Sequence, residues 1–273
     1  MRYIATIGFF DGVHLGHQYL LSQMKEEAAK RGLKSAIVTF DEHPQKVLQG
    51  KSPALLTTCQ ERMAMLKGIG VDEIFRFNFE LIHTMSADEF AQLLHDSYHV
   101  DVLIMGYDHR FGCTQSTIAG TAHNSRNGAQ STIEIIRLPE LPSDEHISST
   151  QIRQALLAGE IVRANEMLGY AYPLIGKVVH GKALGRTIGF PTANIEVDPS
   201  KLIPAPGVYV AEWNFRRVLL NINDSIEMHI PHFEGDLYGQ AVLIELIARV
   251  REEKHFDNLE QLKTQIQKDL LQL

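Results

Sequence analysis

Two histidines three positions apart open the chemistry of this chain. His14 and His17 stand in the run Gly8-Phe9-Phe10-Asp11-Gly12-Val13-His14-Leu15-Gly16-His17. An apolar β-type run, Tyr3 to Phe10, precedes the turn, and a helical stretch, Gln18 to Arg31, follows it. A helix start presents unpaired N–H groups and a positive dipole end, so it attracts phosphate. Two imidazoles beside it can add side-chain donors to the same oxyanion, and Gly16 lets the backbone come close with no Cβ in the way. This is the grip a nucleotidyltransferase needs on the α-phosphate of a nucleoside triphosphate. Plain turn and capping histidines are the competing reading. The strand before the pair, the glycine within it and the helix after it favour phosphate.

A second run, Ile147-Ser148-Ser149-Thr150-Gln151-Ile152-Arg153, opens a predicted helix, 151–158. One hydroxyl suffices as an N-cap, and here three stand in a row with Arg153 one turn in. Ser149, Thr150 and a bidentate guanidinium at a helix start fit a polyphosphate. Further on, Gly181-Lys182-Ala183-Leu184-Gly185-Arg186 is glycine-punctuated and basic, suited to a loop over phosphates or to an ordinary surface loop. Thr192 and Asn194 lie two apart in a strand-like segment and so share a face. A hydroxyl and an amide oxygen are hard donors that suit Mg²⁺.

These residues need a scaffold. In the first part, strands at 3–9, 34–40, 73–77, 100–106 and 132–138 alternate with helices at 18–31, 58–68 and 86–95, the second opened by a Thr58/Glu61 capping box. The alternation predicts an α/β, doubly wound parallel sheet with ligand sites at the strands' carboxyl ends, where His14, Asp41 and Asp108 fall. Past residue 170 the texture becomes short strands, at 178–180, 207–213, 218–222, 225–230 and 241–250, between Gly, Pro, Asn and Asp. These predict a small antiparallel β-barrel closed by one helix, 259–271. The expected domains are 1–169 and 170–273.

Composition sets the bounds. At 273 residues, 44% hydrophobic and 22% charged, the chain can bury a proper core. A net charge of −7 argues against a nucleic-acid partner. Two cysteines with no Cys-x-x-Cys exclude a cysteine zinc site and a disulfide framework. No apolar run reaches membrane-spanning length and no leader-like segment opens the chain, so a cytoplasmic protein without membrane partners is expected. Oligomeric state is not readable.

In this order the motifs resemble those of the bacterial bifunctional riboflavin kinase/FMN adenylyltransferases, nearly end to end. The resemblance is carried by residues 8–17, Phe40-Asp41-Glu42-His43-Pro44, Gly106-Tyr107-Asp108-His109-Arg110-Phe111-Gly112 and residues 147–153. In the second domain it is carried by Gly185-Arg186-Thr187-Ile188-Gly189-Phe190-Pro191-Thr192-Ala193-Asn194, Ile226-Glu227-Met228-His229 and Asp236-Leu237-Tyr238-Gly239. It implies a nucleotidyltransferase-type Rossmann-like domain that converts FMN and ATP to FAD, and a barrel that converts riboflavin and ATP to FMN. It further implies ATP contacts at Gly8, Phe10, Gly16, Ser149, Thr150, Gly181, Lys182 and Arg186. His14, His17 and Arg153 would act on the triphosphate, and Glu227 would be the base that takes the riboflavin 5′-hydroxyl proton. Asp108 would sit near flavin or magnesium, with Tyr107 and Phe111 as flavin-stacking candidates that equally suit a core. Mg²⁺ would be held by Thr192 and Asn194.

Two stretches depart from the family pattern. Asn221-Ile222-Asn223-Asp224-Ser225 joins two strands directly where the family carries an Arg-Pro-Thr segment and a loop. A tight hairpin there keeps the barrel but trims the pocket, so a weakened kinase is expected. After Phe111-Gly112 the chain reads Cys113 to Gly120 without the usual basic residue. Two alternatives stay open at this point: an adenylyltransferase whose barrel only binds flavin, and a nucleotidyltransferase for another phosphorylated acceptor.

Overall fold

The computed structural model describes residues 1–106, 133–143, 146–181, 185 and 188–273. Tyr107, Asp108, Phe111, Lys182 and Arg186 lie outside the described residues. Contacts divide the chain into two compact units, Met1–Ile147 and Ser148–Leu273.

In the first unit, β1 (Tyr3–Ile7), β2 (Lys34–Phe40), β3 (Glu73–Phe77), β4 (Val100–Met105) and β5 (Glu134–Arg137) form a parallel sheet in the order β3-β2-β1-β4-β5. The central strands read as nearly unbroken apolar runs because both faces are covered. Successive β1 residues show it: Ile4 joins one buried cluster with Leu21, Met24 and Leu66, and Ala5 joins the other with Phe77, Phe90 and Leu94. The covering helices include α1 (Leu15–Arg31), α2 (Pro44–Gln49), α3 (Cys59–Gly68), α4 (Phe79–Ile82) and α5 (Ala87–Tyr98). Thr58 and Glu61 form the expected capping box on α3. Strand order reverses between β1 and β4, so a crevice opens beyond their carboxyl ends. The turn carrying His14 leaves β1 at that point.

The second unit begins with α6 (Ser149–Ala158) and α7 (Ile161–Leu168). The strands β6 (Tyr172–Val179), β7 (Thr192–Val197), β8 (Gly207–Trp213), β9 (Arg216–Ile222), β10 (Ile226–His229) and β11 (Ala241–Glu252) close a barrel in the order β10-β7-β6-β11-β8-β9, and α8 (Leu259–Leu270) follows. The two leading helices pack on this barrel. Asn165 of α7 donates from Nδ2 to the Leu246 carbonyl and accepts from the Tyr172 N–H, both at 2.8 Å. The contact boundary therefore falls at 147/148, ahead of the 169/170 expected from the change in texture.

A buried ion pair pins α8. Asp269 is 3% exposed and accepts from Arg251 of β11 at 2.8 Å, and from Gln265 at 2.8 Å. Removing one partner of such a pair strands the other charge, which costs about 3 kcal/mol or more. Asp269→Ala should lower the urea midpoint of the barrel unit accordingly, read through the fluorescence of Trp213, the chain's only tryptophan and a buried residue of β8.

Candidate functional site

The turn after β1 is built from unfavourable backbone. Phe10 (φ 59°), Gly12 (φ 78°) and Val13 (φ 35°) all adopt left-handed conformations, and two of them carry a Cβ. Such residues cost of order 1–3 kcal/mol each and persist only where the surroundings hold them. Here the hold is a buried cluster of hydrogen bonds from the segment before α3. The Asp11 carboxylate accepts from the Leu56 N–H (3.0 Å), the Thr57 N–H (2.9 Å) and the Thr57 hydroxyl (3.0 Å). The Gly12 N–H in turn donates to Thr57 Oγ1 at 3.0 Å.

The turn delivers His14 as N-cap of α1, but its side chain makes no capping hydrogen bond. Capping therefore does not explain the pair. The His14 and His17 rings stack at 3.6 Å and 21°, and Phe10 meets His17 edge-on at 5.2 Å. Gly16 gives the stack room: a Cβ there would come within 3.3 Å of the His14 ring. Phe10, assigned by the resemblance to the ATP side, is a core residue at 2% exposure, with its ring folded back over Gly8. His17 Nδ1 is buried with no hydrogen-bond partner among the described residues. Burial first, and the charge of His14 second, hold the His17 pKa well below its ordinary value, so its ring is neutral near pH 7. A neutral imidazole can still donate one N–H to a phosphate oxygen.

Around the neighbouring strand ends, the guanidinium of fully buried Arg62 donates to the Phe40 carbonyl at 2.9 Å and lies 3.9 Å from the Phe9 ring centre. Asp41 pairs with Arg76, and His43 caps α2 by accepting from the Gln45 N–H. The run 40–44 thus has local structural work that needs no ligand. On α6, Ser148 is the N-cap, accepting from the Gln151 N–H, which leaves Ser149 and Thr150 as first-turn residues with Arg153 following.

The second unit holds a cleft of about 700 Å³. Thr192, Asn194 and Glu227 all line it, together with Asn221, Ser225 and Arg251, which were not singled out in sequence. Cross-strand register assembles its wall: Glu227 of β10 stands opposite Asn194 of β7 on one side and Asn221 of β9 on the other. The Thr192 hydroxyl donates to Glu227 Oε2 at 3.0 Å and the Ser225 hydroxyl reaches Oε1 at 3.3 Å. A Cβ on Gly181 would collide with the Asn194 amide at 1.9 Å, and one on Gly185 would lie 3.2 Å from Thr192 Oγ1. These glycines make room for the two oxygen donors. The shortened connection is the expected tight hairpin: Ile222 pairs with Ile226, and Asn223 is bonded to Ser225 and to Glu253.

Both units match known families. A family model described as FAD synthetase covers residues 1–151, and one described as riboflavin kinase covers 168–273. The chain belongs to the bifunctional riboflavin kinase/FMN adenylyltransferase family. Members in Listeria monocytogenes and Escherichia coli K12 are each 34% identical, aligning over 97% and 98% of this chain respectively and 90% of either relative. The Bacillus subtilis member is 32% identical over 97% of this chain and 90% of its own length. A Streptococcus pneumoniae crystal structure described as a macrolide-efflux protein shares the fold, with a TM-score of 0.85 and 30% identity over 98% of this chain and 92% of that one. No helix among the described residues is long and apolar enough to cross a membrane. The family's two halves coincide with the parallel sheet and the barrel.

The depressed His17 pKa has a consequence for stability. The folded state resists protonation that the unfolded chain accepts near pH 6.5, so the stabilisation from a neutral ring is complete above that pH and is lost on acidification. Circular-dichroism melts from about pH 7.5 down to 5.5 should show a steeper fall in Tm for the wild type than for His17→Gln. Parallel falls would mean the ring titrates normally.

Proposed function

We propose that the barrel phosphorylates riboflavin to FMN with ATP and that the parallel-sheet unit then adenylylates FMN to FAD, releasing pyrophosphate. The observation that carries the second step is the stacked histidine pair at an uncapped helix start, at the point where strand order reverses. The match of both halves to their family models supports the pairing of the two activities in one chain. Substrates and products are the small molecules ATP, riboflavin, FMN and FAD, and a cytoplasmic setting fits them.

In adenylylation an FMN phosphate oxygen attacks the α-phosphorus of ATP and the bond to the β-phosphate oxygen breaks. No covalent enzyme intermediate is needed, so the protein's part is alignment and charge stabilisation. His14 and His17 donate to oxygens on which charge builds. Family resemblance assigns Ser149, Thr150 and Arg153 to the departing pyrophosphate and Asp108, Tyr107 and Phe111 to the flavin side.

In the kinase step Glu227 accepts the proton of the riboflavin 5′-hydroxyl as that oxygen attacks the γ-phosphorus and ADP leaves. Its carboxylate is oriented for this by the Thr192 and Ser225 hydroxyls. Thr192 and Asn194 present oxygens on one wall with a carboxylate 3.0 Å from the hydroxyl, a donor set that fits Mg²⁺. The ion, when bound, supplies positive charge against the ATP phosphates. Gly181, Lys182 and Arg186 are assigned to the ATP phosphates by family resemblance.

Purified chain given ATP and Mg²⁺ with riboflavin alone, or FMN alone, tests the assignment by chromatography of products. His17→Ala should reduce FAD formation about 100-fold, as loss of one oxyanion donor typically does, while FMN formation continues. Asn194→Ala should do the reverse. Loss of both activities in either variant would point to misfolding and sink the division of labour.

The tight hairpin leaves the base in register, and the Arg-Pro-Thr segment that the family resemblance implies there would have added pocket wall. We therefore expect the kinase to be the weaker activity through a raised KM for riboflavin rather than a low kcat. Steady-state kinetics decide this: a riboflavin KM at or below that for FMN would show that the missing segment is dispensable.

A further inference from the structure

The geometry points to Thr57 as a positioning residue for adenylylation, holding the turn that carries His14 and His17. The inference rests on the adenylyltransferase reading of that histidine pair. The hydrogen bonds of Thr57 go to Asp11 and Gly12, and through them to the turn ahead of the histidines. Its hydroxyl serves both as donor, to Asp11, and as acceptor, from the Gly12 N–H, at 3.0 Å each, and its own N–H reaches the same carboxylate at 2.9 Å. The residue is 0% exposed, so solvent cannot take over either bond.

The two partners of this hydroxyl occupy the left-handed turn between Phe10 and Val13, directly ahead of His14. Asp11 and Thr57 are 46 positions apart in sequence, so the bonds fasten the turn to the start of α3 rather than to its own neighbourhood. Without the hydroxyl, Gly12 and Asp11 each lose one hydrogen bond in a buried setting. Phe10 and Val13 can then relax toward right-handed backbone. His14 follows at the next position, and its ring lies 3.6 Å from that of His17, which Phe10 meets edge-on, so a shift of the turn moves both imidazoles out of this arrangement. A shift of about 1 Å in a positioned donor can cost on the order of 100-fold in rate.

Two substitutions separate hydroxyl from volume. Thr57→Val keeps the shape and removes both hydroxyl bonds; Thr57→Ser keeps the bonds and loses a methyl. For Thr57→Val we expect kcat of FAD formation to fall about 10- to 100-fold with KM for FMN changed less than about threefold. Thr57→Ser should stay within about threefold of the wild type. Riboflavin phosphorylation, measured on the same preparations, gauges active concentration. A histidine NMR titration gives a second reading: the His17 pKa should move back toward 6.5 in Thr57→Val as the stack loosens, and stay depressed in Thr57→Ser.

A Thr57→Val chain that forms FAD at near wild-type kcat overturns the inference. So does a Thr57→Ser chain that loses as much as Thr57→Val, since volume and not the hydroxyl would then matter. If His17→Ala also retains FAD formation, the failure belongs to the histidine assignment itself. If His17→Ala is inactive while Thr57→Val is not, only the role of Thr57 falls.

Discussion

What the parallel-sheet unit can offer a nucleotide depends on a short stretch of backbone that is unfavourable on its own. Between the end of β1 and the start of α1, three residues take left-handed conformations, and only one of them is glycine. A relaxed turn would spare that strain but would send the chain off at a different angle. The strained one brings α1 back over the sheet, with Leu21 and Met24 in the core and the two imidazoles at its open end. The strain is tolerable because it is balanced by hydrogen bonds to a buried carboxylate. A buried, fully hydrogen-bonded carboxylate is itself stable only when every donor is present. The site is therefore coupled to the α3 entry segment through Asp11 and Gly12.

The barrel solves its positioning problem differently. Glu227 sits on regular strand backbone, and its direction is set by register. Because side chains alternate, a slip of one residue would turn Glu227 to the other face. Four consecutive pairs with β7 and four with β9 prevent that. The hairpin that joins β9 to β10 is only one of these constraints, so its length can change without moving the base. Hydroxyls from Thr192 and Ser225 then fix the rotamer.

Legibility in sequence followed the same division. Local signals were read well: the Thr58/Glu61 box, the period-two placement of Thr192 and Asn194, and β2, β3 and β8 at their full extents. Helix α7 was missed although its buried Ile161, Ala164, Met167 and Leu168 recur at helical spacing, because it is only eight residues long and its N-cap, Glu160, makes no side-chain capping bond. β6 was read only at its end, since Pro173 and Gly176 break its pattern while tertiary pairing with β11 and β7 supplies the strand. Phe10, placed among the ATP contacts by resemblance, has left-handed backbone and a buried ring that lies edge-on to His17. The Asp11–Thr57 bonds join residues 46 apart, with no period or motif to announce them. Register across β9, β10 and β7, which makes a wall of Asn221, Glu227 and Asn194, is likewise a property of closure rather than of any one segment.

The two solutions respond differently to change. A donor held by strained backbone loses its place when any one of the bonds balancing the strain is removed, because the turn has a lower-energy conformation nearby. A base held by cross-strand register has no such neighbour: the alternatives are a slip that breaks both ladders or no movement at all. Loss of chain between β9 and β10 therefore changes what the cleft can enclose without changing where its carboxylate points. The same loss in the segment that carries Leu56 and Thr57 would release the turn and with it the histidine pair. The β9–β10 connection in this chain is a tight hairpin in the barrel, where register holds Glu227 in place.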